Sequence, residues 1–119
     1  MKKHTFKIEH YSISDYLLVS RLLAGDTISW EQAKVKLLSS RATNNATSVR
    51  KIIGNFECIE NIKIPTLGSY YEEYKLNQDY TTHFQELKMM YEDNDRFMKR
   101  LNRKLEKVAK FNETESGGY

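Results

Sequence analysis

Four side chains near the middle of this chain have the types and spacing to meet the edges of nucleic-acid bases. Asn44, Thr47, Ser48 and Lys51 recur at intervals of three and four, so at about 100° per residue they share one side of a helix. Asparagine can bond adenine through two contacts, and serine or threonine can bond several bases or phosphates. Asn45 lies next to them and joins the candidate base-contacting set. Ala46, Val49, Ile52 and Ile53 fall on the other side and can anchor the helix to a core. Arg50 sits at the margin. With Arg41 ahead of the helix and Lys63 and Ser69 beyond it, Arg50 makes up the candidate phosphate contacts. An ordinary solvated helix face would carry the same residues, so the neighbouring elements decide between the two readings.

Other chemistry is poorly represented. His4, His10 and His83 are scattered, and none has a carboxylate or cysteine at metal-ligand spacing. No metal and no cofactor is expected. Cys58 is the single cysteine, which excludes an internal disulfide and predicts a buried packing thiol. Neither a Walker-type loop nor a dinucleotide-binding glycine loop occurs. Tyr70, Tyr71 and Tyr74 could stack on unpaired bases, but tyrosines in a hairpin more often pack on a sheet. An enzyme is not expected. The net charge of +3 over 119 residues is mild and does not alone argue for nucleic acid. No apolar run has the length of a membrane span, and no apolar core follows Met1-Lys2-Lys3 as in a signal peptide. The expectation is a soluble cytoplasmic protein of one domain with an appendage.

The elements around the polar face form an order. Residues 1–11 read as an N-terminal strand or arm, with Phe6 and Ile8 facing one way. Ser12 or Ser14 can cap a first helix, in which Tyr16, Leu17, Ser20 and Leu23 share a face flanked by Ile13, Val19 and Leu22. Gly25 ends it. Ser29-Trp30-Glu31-Gln32 is a capping-box pattern opening a second helix, whose apolar face is Trp30, Ala33, Leu37 and Leu38. Ser39 to Thr43 is a turn, Asn44 to Ile53 the third helix, and Gly54-Asn55 its end. Ile59, Ile62 and Ile64 then suggest a strand, and Tyr70, Tyr71, Tyr74 and Leu76 its partner. Pro65 and Gly68 lie in the five residues between them, as in a hairpin loop longer than two residues.

The segment from Tyr16 to Leu76 resembles the small winged helix-turn-helix domain of tailed phages and prophages. The matching pieces are Gly25-Asp26-Thr27-Ile28-Ser29, Trp30-Glu31-Gln32-Ala33, the helix from Asn44 to Gly54, and Tyr71-Glu72-Glu73-Tyr74-Lys75-Leu76. The resemblance implies a mainly α chain with a small β-hairpin (α+β), the domain spanning residues 12–78. It also implies double-stranded DNA binding, usually in phage gene control or excision, with the third helix in a major groove.

Residues 79–111 form the second informative stretch. Phe84, Leu87, Tyr91, Asn94, Met98, Leu101, Leu105 and Val108 step by three and four, the spacing of a coiled-coil seam. With no proline or glycine between Tyr70 and Gly117, one long amphipathic helix is predicted, joining two copies as a homodimer. Asn94 would fix the register. A helix folded back on the domain is the alternative. Charge is split: Asp79 to Asp95 holds five acids and one base, Arg96 to Lys110 seven bases and one acid. An antiparallel pair would match the halves; a parallel pair would gather the bases at one end. Residues 112–119 read as a flexible tail.

The leading expectation is a dimeric, sequence-specific DNA-binding transcriptional regulator of a phage or mobile element. The rival is a phage-encoded adaptor or inhibitor that binds a host protein, motivated by the hairpin acids Glu60, Glu72 and Glu73 and by the apolar stripe widened by Met90 and Phe97. A third reading is an architectural or excision factor that bends DNA.

Overall fold

The first helix, α1 (Ile13–Leu23), is bounded by local chemistry at both ends. The Ser12 hydroxyl accepts the Asp15 amide at 3.2 Å. At the other end Gly25 adopts φ +89°, the Gly25 amide donates to the Leu22 carbonyl, and the Asp26 amide donates to the Arg21 carbonyl. This paired arrangement closes a helix on a left-handed residue, which glycine adopts without steric cost. The structure, a computed structural model, describes residues 6–117, with side chains for residues 6–111. His4 and the first part of the N-terminal arm therefore lie outside the described residues, as does the end of the tail. From Phe6 to Tyr11 the chain makes no strand, although Phe6 is buried and Ile8 packs on the core. Leu18 and Leu22 lie at the centre of the buried face of α1, with Leu17 and Leu23 at its edges. The face is wide because α1 packs against two helices that follow it in sequence.

The region after Gly25 departs from the expected helix. Ile28–Ser29 form a short strand, β1. The capping box does form: the Ser29 amide donates to Gln32 Oε1 at 3.0 Å, and the Gln32 amide to Ser29 Oγ at 3.3 Å. It opens only one turn of α-helix, α2 (Ala33–Lys36). Trp30 is consequently no part of an apolar helix face but is 66% exposed, while Ala33 and Leu37 are buried. Leu38, at φ +55°, turns the chain out of α2.

The third helix, α3 (Ala42–Ile53), starts two residues before the sequence pattern suggests and ends at Gly54, φ +88°. Ala46 and Val49 face the core, and Ile52 and Ile53 are half-buried.

Strands β2 (Ile59–Thr66) and β3 (Ser69–Leu76) pair antiparallel from Ile59–Leu76 to Thr66–Ser69. The connection is a two-residue turn, Leu67-Gly68, not the five-residue loop expected; Pro65 and Thr66 belong to β2, and Gly68 takes φ +80°. β3 is central because β1 pairs with it through Ile28–Tyr74 and Ser29–Glu73, giving the order β1-β3-β2. The buried pairs Ile59–Leu76 and Ile28–Tyr74 hold the hairpin base against the helices. From Ile62 to Thr66 the strand reaches about 14 Å further, at roughly 3.4 Å per residue, with its residues exposed or half-buried.

The long helix predicted over 79–111 is two helices, α4 (Thr81–Glu92) and α5 (Asp95–Gly117). Asn94, expected in a seam between copies, is the residue at the break. Its Oδ1 accepts the Phe97 amide at 2.9 Å, an N-cap of the kind asparagine favours. The break lets both helices bury their apolar positions within one chain. Phe84, Leu87 and Tyr91 are fully buried and Leu101 is within a few per cent of it, so these members of the proposed seam are occupied by the chain's own core, together with Phe97 beside them. Tyr11, Tyr16, Tyr91 and Phe97 form a ring cluster with centroid separations of 5.0–6.1 Å, and Tyr16 donates its hydroxyl to Glu92 at 2.6 Å. Met98 is half-buried, Leu105 is 43% exposed and Val108 half-buried. The backbone of α5 runs past residue 112, where a tail is predicted, to Gly117. No helix among the described residues is long and apolar enough to cross a membrane.

Candidate nucleic-acid interface

The exposed stripe of α3 is narrower than its sequence suggests. Asn44, Thr47 and Lys51 are exposed. Asn45 is only 9% exposed, and its Nδ2 donates to Asp15 Oδ1 at 2.8 Å. Ser48 is half-buried and donates through Oγ to Asp15 Oδ2 at 2.6 Å. Asn45 is thus corrected from a base contact to a lock between α3 and α1, and Ser48 is half committed to the same lock. The shared partner, Asp15, is itself buried. Burial raises its carboxyl above the usual range, and the bonds from Ser48 and Asn45 oppose that rise.

On its other margin α3 is tied to the hairpin. Arg50 donates to the Ile59 carbonyl and to Asn61 Oδ1, both at 2.6 Å, and lies 4.0 Å from the Phe56 ring centroid. These bonds correct its expected role: the guanidinium that was to hold a phosphate clamps the hairpin base. The Tyr74 hydroxyl adds a bond to Thr43 Oγ1 at 3.2 Å. Arg41 remains exposed just before α3. Cys58 is fully buried beside this clamp, and burial pushes its thiol up to about 11 against the pull of Arg50, so it is a packing group and a poor nucleophile.

The outer face of α3 forms one wall of a groove of about 500 Å³, in which Asn44, Thr47, Ser48, Lys51 and Ile52 take part. The opposite wall is the extended N-terminal segment, through Lys7, Glu9 and His10. The sequence reading missed this second wall because an aperiodic segment carries no signal of which helix it lies along. A second depression of similar volume continues from Glu9 and His10 past Tyr11 to Asn94 and, on α5, to Arg96 and Arg100. The Arg100 guanidinium donates to the Tyr11 carbonyl.

Lys63 and Ser69 are not part of this groove. Both are exposed on the distal hairpin, with the Lys63 ammonium 4.8 Å from the Tyr70 ring centroid and Ser69 paired to Thr66 beside the turn. Two of the hairpin acids are engaged within the fold: Glu73 accepts from Thr27 Oγ1 at 3.1 Å and Glu72 from Asn61 Nδ2 at 3.3 Å. In the C-terminal half of the proposed seam, only Leu105 is left clearly exposed. No family model, no curated protein and no solved structure matches the chain.

Proposed function

We propose that this protein binds double-stranded DNA through the outer face of α3. The observation that carries this reading is the stripe Asn44–Thr47–Lys51, which is exposed, makes no side-chain bond to the rest of the described fold and lines an open groove. At about 1.5 Å per residue α3 is roughly 18 Å long, and a B-DNA major groove about 12 Å wide admits one helix. Asn44 and Thr47 would contact bases, with Lys51 and Arg41 near phosphates. The order of a helical set followed by a hairpin supports the same reading, as does the resemblance to winged helix-turn-helix domains of phage and mobile-element gene control. On that basis the role proposed is a transcriptional regulator.

The test is binding of labelled duplex followed across salt concentration. Lys and Arg contacts to phosphate release counterions, so the logarithm of affinity should fall linearly with the logarithm of salt. Asn44→Ala and Lys51→Ala should weaken binding without changing the unfolding midpoint. Absence of duplex binding at low salt would overturn the proposal.

One observation favours a second reading, a protein-binding adaptor. On the outward sheet face Ile64 pairs with Tyr71, and Trp30 and Tyr71 line the same shallow depression, with Glu31 and Glu73 at its side. Exposed aromatic groups are typical anchors of protein interfaces. Stoichiometric capture of one host protein that Trp30→Ala abolishes, in the absence of DNA binding, would favour it.

A further inference from the structure

We propose that the basic face of α5 is a second DNA-contacting surface, continuous with the α3 groove and binding backbone phosphates of the same duplex. The inference rests on the reading of α3 as the DNA-facing helix and adds residues that reading does not use. At about 100° per residue the seven bases Arg96 to Lys110 fall within an arc of roughly 140° on α5. The apolar residues Phe97, Met98, Leu101, Leu105 and Val108 lie on the opposite side, and the first of these fix the helix to the body through the buried Phe97 and Leu101. Packing of the apolar side thus decides which way the bases point.

Three observations select duplex phosphate as the occupant. The first is position: Arg96 and Arg100 line the depression that shares Glu9 and His10 with the α3 groove. The basic face therefore begins at the edge of that groove. The second is lack of neutralisation. Arg96, Lys99, Arg103, Lys104 and Lys107 are exposed, and none is among the ion pairs of the described residues. The third is reach: from Arg96 to Lys110 the axis advances about 21 Å, enough to follow several phosphates of one strand, which recur every 3.4 Å or so along the duplex axis. Phosphate contacts of this kind position a protein without reading sequence.

The experiment compares the full chain with the double variant Arg103→Gln/Lys107→Gln, whose sites are exposed on α5 beyond its buried residues. Its control is Lys34→Gln/Lys75→Gln, equal in charge removed. Binding of one duplex is measured by fluorescence anisotropy at 50 to 200 mM salt. Losing two phosphate contacts should reduce the log–log salt slope by about 1.8, so that affinity falls about twelvefold less over that range. The control should keep the wild-type slope. If wild type binds duplex and the α5 variant keeps its slope, this inference is wrong and the α3 reading stands. An equal loss in the control also overturns it, because the effect would then be net charge alone. If wild type binds no duplex, both readings fall. Flotation with vesicles of phosphatidylcholine and phosphatidylserine supplies the other polyanion; vesicle binding that duplex fails to compete would overturn the inference in favour of a lipid surface.

Discussion

The helices α4 and α5 carry one run of residues spaced by three and four, apolar except at Asn94, yet the fold treats its two halves differently. In α4 the spaced residues Phe84, Leu87 and Tyr91 are completely buried. In α5 full burial stops after Leu101; Leu105 beyond it is 43% exposed and Val108 half-buried. The same spacing thus serves an internal core in one half and extends into solvent in the other. Periodicity identifies a face that needs covering; it does not say whether the cover comes from the same chain. The difference is set at Asp93-Asn94, where an asparagine caps a new helix and the chain redirects.

The largest effect should come from emptying the α4 half. Leu87→Ala removes a fully buried side chain and should destabilise by about 2–5 kcal/mol, read from urea unfolding. Leu105→Ala should change stability by less than about 0.5 kcal/mol. A large loss at Leu105, with unfolding that depends on protein concentration, would restore the coiled-coil dimer.

A comparable contrast separates neighbours on α3. Asn45→Ala leaves the buried Asp15 carboxylate short of a donor and should cost about 1–3 kcal/mol of stability. Asn44→Ala should leave stability intact and weaken binding to a preferred duplex by about 1–3 kcal/mol if its amide reads a base. Equal thermal stability of the two variants would show that the Asp15 lock is unimportant.

Asn94→Ala should cost about 1 kcal/mol through loss of the cap. A seam asparagine behaves differently: replacement by leucine would then stabilise an oligomer, so Asn94→Leu followed by sedimentation distinguishes the two roles.

The smallest effect is in pH dependence. Asp15 is held above the usual aspartate value of 3.8, first by burial. A raised acid favours folding most when protonated, so its contribution is full below that value and is lost as pH rises through the folded pKa. Glu92 is held below its usual 4.5, first by the Tyr16 hydroxyl bond. Its contribution is present above that value and is lost as pH falls through the folded pKa. Asp15→Asn should remove the first trend and expose the second, as a stability that falls more steeply on acidification. An unchanged acid-unfolding curve for this variant would refute the assignment.

The features legible along the chain are those whose cause lies within a few residues. The Ser12 cap, the glycine stops at Gly25 and Gly54, the Ser29/Gln32 box and the two-sided character of α3 each follow from local hydrogen bonding or helical angle. The hairpin was also readable from its β-branched and aromatic residues, although its turn was not, because Pro65 can sit in an edge strand as well as in a loop.

Other assignments required partners far away in sequence. Asn45 and Asn44 are chemically the same residue, yet Asp15, thirty positions before Asn45, makes one a structural lock. Arg50 is a free base in the sequence and a clamp in the fold because Ile59 and Asn61 return beside it. Trp30 reads as core until β1 pairs with β3 and leaves it outside. Short-range geometry dictates where helices begin, end and divide into faces. Which face meets protein and which stays open depends on long-range packing, since burial is a property of every element that converges on a site.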